Sequence, residues 1–163
     1  MHVLQAALRR NISKIATRLS IIFAVTLGTL SISPAAHAGG YGCTGSLIDT
    51  YNVIAYSDGK KVYGYHYLYY NSSTGVNCGV TVANQTGGYG TSKPMAAEIS
   101  ACTSNRPGDL CQSVVSTDSD RGYYKSYAGP VSVKAAGRCI AIFGYIEWKG
   151  HTAFVETNAT HCG

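Results

Sequence analysis

After Ala38 no stretch of the chain repeats its apolar residues with the 3.6-residue period of a helix; short alternating runs are cut repeatedly by Gly, Ser, Thr and Asn. Period-two alternation places successive side chains on opposite faces of a strand, so the pattern specifies an all-β domain. The runs include "YNVIAYSDGKKVYGYHYLYY", "VNCGVTVA", "MAAEISAC", "CQSVVS", "GYYKSYAG", "VSVKAA", "RCIAIFGYIEW" and "HTAFVE". They amount to about eight or nine strands, at the spacing of a small antiparallel sandwich or barrel. Met, Ala and Glu favour helix in "MAAEISAC", but its length and context favour strand. Asp58-Gly59 marks one hairpin, because Gly accepts the positive φ of a tight turn, and "NSSTG" marks the next. "RCIAIFGYIEW" is mostly apolar on both faces and reads as a central strand that needs cover on each side.

The first 38 residues read as a secretory signal peptide. Arg9, Arg10, Lys14 and Arg18 form a basic start without acids, "LSIIFAVTLGTL" is the apolar run, and "AHA" ending at Ala38 supplies small residues for cleavage. The apolar run is shorter than the roughly 20 residues of a membrane span, so no membrane attachment is expected after cleavage. Residues 39–163 then form a single secreted β domain. Its nine basic and eight acidic residues nearly cancel, which removes the electrostatic case for a nucleic-acid or anionic-membrane partner.

All six cysteines, Cys43, Cys78, Cys102, Cys111, Cys139 and Cys162, lie in the exported part. An even count in an exported chain reads as three disulfides, with fifteen connectivities open on count alone. A metal site is not expected. No CxxC, HxH or HxxxH occurs, and His66, His151 and His161 are far apart in sequence. No cofactor motif is present.

Within "VYGYHYLYYNSSTGVNC", Tyr63, Tyr65, Tyr67 and Tyr69 occupy alternate positions and would share one strand face. Such a face can pack under other structure, since tyrosine is a good strand former that buries its ring and keeps its hydroxyl wet. It can also stack on a ligand or adhere to a surface, and these four residues are the candidate binding face. If "NSSTG" is a five-residue loop, Tyr70 faces Val76, Leu68 faces Cys78, His66 faces Val80 and Gly64 faces Val82. The tyrosines then lie opposite Asn77, Gly79, Thr81 and Ala83, and the even-numbered face is core. His66 on that face reads as a hydrogen-bonded core residue.

No catalytic residues are assigned, and the chain is not expected to be an enzyme. GxSxG is absent, and Ser46 near Asp49 in "CTGSLID" reads as a loop tied by a disulfide. Glu147 with Glu156 and Asp118 with Asp120 are the available carboxylate pairs. The first two read as edge charges, and "STDSD" reads as a solvated turn.

The blocks "YGCTGSLI", "VYGYHYLYYNSSTGVNCGVTV", "GGYGTSKPM", "YYKSYAGPVSVKAAGRCIAIFGYI" and the terminal "HCG", in this order, resemble the spore-associated protein A family of filamentous actinobacteria. The resemblance spans about Tyr41 to Gly163. It implies a small secreted protein found with spores or the cell surface, of poorly defined molecular activity; the first reading of the chain is a non-enzymatic structural protein of that surface, adhering through aromatic residues, with the surface, polysaccharide included, as the partner. It carries no catalytic motif. The alternative is a soluble extracellular module that binds carbohydrate or inhibits an exported enzyme. Family members with fewer cysteines keep equivalents of Cys43, Cys78, Cys139 and Cys162, which implies a local Cys102–Cys111 pair around "TSNRPGDL". A turn at Pro107-Gly108 is compatible with that pair. Three connectivities of the other four remain open, and the simplest is Cys43–Cys78 with Cys139–Cys162.

Overall fold

The computed structural model describes residues 39–163; the signal segment, residues 1–38, lies outside the described residues. The alternating runs become eight strands: β1 (Ser46–Ala55), β2 (Lys61–Asn71), β3 (Val76–Ala83), β4 (Lys93–Cys102), β5 (Val114–Tyr124), β6 (Tyr127–Lys134), β7 (Ile140–Trp148) and β8 (His151–Glu156). They form one antiparallel sheet in the order β5-β4-β7-β8-β1-β2-β3-β6, which curls into a nearly closed barrel. The ambiguous "MAAEISAC" is strand, and β7 is central between β4 and β8. Ile140, Ile142 and Ile146 of β7 point into the barrel with Met95, Ala97 and Ile99 of β4 and Leu68 of β2. The outer face of β7, with Phe143 and Tyr145, stays half-covered.

Three disulfides brace the barrel: Cys43–Cys78, Cys102–Cys111 and Cys139–Cys162. The first pins the segment before β1 to β3. The second closes the "TSNRPGDL" loop, and the third ties the C-terminal tail to the start of β7.

The five-residue-loop register is not the one adopted. Asn71 remains in β2 opposite Val76, and the turn is the four residues 72–75. Asn71 accounts for this shorter turn. Its carbonyl accepts from the N–H groups of Thr74 and Gly75, its side-chain oxygen accepts from the N–H of Ser73, and Gly75 supplies the positive φ of 69°. Every pair therefore moves by one residue. Tyr69 faces Cys78, Tyr67 faces Val80, Tyr65 faces Val82, Leu68 faces Gly79 and His66 faces Thr81. The even face of β2 is still core, because Leu68 and His66 are fully buried. The slip changes which residues of β3 the tyrosines meet, replacing small and polar partners with valines and a disulfide.

A second difference concerns "STDSD" and "GYYKSYAG". The acidic stretch lies inside β5, and the turn falls later, at Lys125-Ser126. β5 and β6 share no ladder, although they are consecutive and lie side by side. Two carboxylates bridge them: Asp118 accepts from the backbone N–H of Ser132 at 2.8 Å, and Asp120 from that of Gly129 at 2.7 Å. Tyr124 also donates its hydroxyl to Asp120. Charge-assisted bonds of this type contribute about 1.5–3 kcal/mol each, less where water reaches them. Replacing Asp118 and Asp120 with alanine should therefore leave the other seams intact but release this one. Amide exchange at Gly129 and Ser132 should accelerate well before exchange in β7, and unchanged protection there would contradict the role.

Candidate functional site

The tyrosine stripe divides into three environments. At Tyr63 the β1–β2 pairing is bulged: Val53 faces Gly64 and Ile54 faces Val62, which leaves Tyr63 without a partner. A bulge re-aims a side chain, and here the ring turns into the main core while its hydroxyl donates to Asp58 at 2.7 Å. Burial, followed by the Asp58 contact, pushes the Tyr63 phenol up to about 12. Tyr63 is thus a core residue and leaves the candidate binding face.

Tyr69 is also buried, but on the outside of the barrel wall. It forms a small apolar cluster with Cys43, Cys78, Val80 and Val82, against which Tyr67 packs. The lid on this cluster is the segment Gly39–Cys43. A Cβ on Gly40 would lie 2.5 Å from the Tyr69 hydroxyl, so glycine lets the segment pass the phenol tip without displacing it.

Tyr65 and Tyr67 are half-buried and continue outward. Their ring centroids are 6.0 Å apart, Tyr41 stacks on Tyr67 at 5.9 Å with planes 9° apart, and Tyr127 tilts against Tyr41 at 5.3 Å. Tyr41 and Tyr127, 42% and 40% exposed, present the wet side of this four-ring cluster. Burial first, then the neighbouring Tyr41, raises the Tyr67 phenol above its ordinary value. The face offers apolar ring area with hydroxyl tips. Tyr41 and Tyr127 lie outside the alternating stripe. Their signal was the aromatic residue beside the first cysteine and the aromatic start of β6, and only the disulfide and the β3–β6 pairing bring them together.

Inside the barrel, the His66 ring occupies space left by two glycines. Cβ atoms on Gly79 and Gly144 would lie 2.6 Å from Nε2 and 3.1 Å from Nδ1. Nδ1 is 3.0 Å from Thr81 Oγ1, and Nε2 has no hydrogen-bond partner among the described residues. Burial pushes the imidazole down to about 4, so it is neutral.

The carboxylate pairs do not converge as catalytic pairs. Glu147 faces Thr152 and Glu156 faces Phe143, four positions apart along β7. Asp118 and Asp120 are occupied at the β5–β6 seam. Ser46 lies opposite Tyr70, while Asp49 instead approaches His161 Nε2 at 3.6 Å. Thr160 Oγ1 and Tyr51 Oη lie 3.1 and 3.4 Å from His161 Nδ1, so this polar group fastens the tail beside Cys162 to β1. Sequence spacing gave no hint of it, since its members are about 110 residues apart.

Barrel, bridges and outward ring cluster together define a small disulfide-braced β-barrel protein of the kind that suits an extracellular setting. The chain is 37% identical over 139 residues to spore-associated protein A of Streptomyces coelicolor, covering 81% of this chain and 75% of that one. It belongs to the spore-associated protein A family. No family model matches the chain, and no solved structure matches it. The relative suggests a spore-associated role, and the three disulfides fit an extracellular location.

Proposed function

We propose that this chain is exported by its N-terminal signal and acts as a non-enzymatic surface protein, held on spores or the cell envelope by the Tyr41–Tyr65–Tyr67–Tyr127 face. The observation that carries the reading is the outward clustering of four phenols on a braced wall, with Tyr41 stacked on Tyr67 and Tyr65 and Tyr127 tilted against them. Aromatic contacts of this type are worth about 0.5–1.5 kcal/mol each, and several copies acting on one surface multiply into firm attachment. A site built from aromatic rings gives retention that resists salt and yields to detergent or chaotrope, because salt screens only charge.

A chromosomal copy carrying Tyr41→Ser and Tyr127→Ser tests this. Both residues are exposed, so secretion and thermal stability should be nearly unchanged. The variant should move from the spore fraction to the medium, while the parent stays on spores through a high-salt wash. Equal retention of variant and parent would overturn the role of this face.

A further inference from the structure

We propose that the outer face of β4, β7 and β8, on strands separate from those of the tyrosine cluster, is a second binding site that takes a glycan strand bearing free amino groups. The ladder register fixes its layout. One row across the sheet runs Glu98, Phe143, Glu156, and the next runs Ala96, Tyr145, Phe154. Neighbouring strands lie about 4.8 Å apart, so the two carboxylates flank the Phe143 ring from either side. Phe143 and Tyr145 lie nearly parallel along β7, with centroids 6.4 Å apart and planes 16° apart. A flat-faced sugar ring can pack against the half-covered aromatic surface that this pair presents.

The surface is also concave. A groove of about 240 Å³ runs between Glu98 and Glu156 under the rim of the Cys102–Cys111 loop. It shares Glu156, Thr157 and Asn158 with a second groove of about 350 Å³ that reaches Phe154 and Tyr56. Each alone is at or below the low end of small-molecule pockets, but joined they make an open trough, a shape for a chain more than for a compact ligand.

Charge decides which chain. The trough carries two carboxylates, Glu98 and Glu156, and Arg121 reaches in from β5. Arg121 shows what the site accepts: it is held at 2.8 Å by Glu98, and its guanidinium carbon sits 5.1 Å from the Phe143 centroid. A carboxylate beside an aromatic face is thus already occupied by a cation on one side of the ring. On the other side Glu156 lies beside Phe143 with no cationic partner among the described residues. An ammonium group of an amino sugar would complete the arrangement while the sugar face stacks on the adjacent ring. The tyrosine cluster, built from four phenols, offers no such carboxylate pairing, so this site is independent of the attachment reading.

Calorimetric titration of the purified exported chain with a glucosamine hexamer, an N-acetylglucosamine hexamer and hexalysine tests the proposal. The glucosamine hexamer should bind at least tenfold tighter than either comparator. Glu156→Gln should weaken it about fivefold, and Phe143→Leu further, both at unchanged melting temperature. Tyr41→Ser should leave binding untouched, which separates this site from the spore-attachment face. Equal affinity for the acetylated hexamer would remove the ammonium from the argument. Equal affinity for hexalysine would reduce the trough to a general cation site, and no binding of the glucosamine hexamer would overturn it entirely.

Discussion

Replacing Cys43 and Cys78 together with serine is expected to lower the unfolding free energy by about 4 kcal/mol, the largest loss among the three bridges. The bond closes a loop of about 36 residues, for which loop-closure entropy gives about 3.8 kcal/mol, against about 3.5 for the 24 residues of Cys139–Cys162 and about 2.7 for the ten of Cys102–Cys111. At roughly 4 °C per kcal/mol for a domain of this size, the melting midpoint should fall by about 15 °C. The bridge has a second role that the shorter ones lack. It holds Gly39–Cys43 over Tyr69, Val80 and Val82, and it places Tyr41 on Tyr67. The double variant should therefore lose retention on spores even where it remains folded. A smaller loss of stability than for the Cys102–Cys111 variant would contradict the ordering.

Stability is also expected to fall by about 3 kcal/mol between pH 6.5 and pH 4 because of His66. Its folded value of about 4 lies below the ordinary 6.5 of an unfolded histidine. Above pH 6.5 neither state binds the proton and the contribution is constant. Below it the unfolded chain takes up a proton that the barrel excludes, so stability drops as pH falls and levels off near pH 4. Asp58 acts in a separate window. The Tyr63 hydroxyl, and after it Lys61, hold its carboxyl below the usual value, so its contribution disappears at lower pH than that of His66. Denaturant titrations of the parent and of His66→Gln, whose amide can still reach Thr81 and never charges, check this. The variant should lose most of the slope between pH 6.5 and 4, and an unchanged slope would place the acid sensitivity elsewhere.

Strand number and the all-β class were legible because each rests on period-two alternation, a local property. Ile140, Ile142 and Ile146 announce an inward face in the same way. The core side of β2 was assigned through the five-residue-loop pairing and holds although that pairing does not. The register of β2 against β3 was not legible from alternation, because one residue of loop length decides it. Asn71 could end the strand or begin the turn, and its side chain chose the former. The role of "STDSD" was hidden for a related reason. Acidic residues between serines look like a solvated turn unless a neighbouring strand presents unpaired N–H groups, and that neighbour is fixed only by barrel closure. Of the candidate face, Tyr65 and Tyr67 remain on the outer cluster, Tyr69 lies beneath its lid and Tyr63 is core. Tyr41 and Tyr127 join through a disulfide and a strand pairing remote in sequence. The Phe143 trough was likewise unreadable beforehand, since β4, β7 and β8 line it from three separate runs.

The most direct test of attachment through the tyrosine cluster is co-sedimentation of the purified exported chain with isolated spores in high salt, comparing the parent with Tyr41→Ser/Tyr127→Ser. The account predicts that the parent pellets with the spores and the variant stays in solution at the same melting temperature. Equal pelleting of the two proteins, or release of the parent by salt alone, would contradict it.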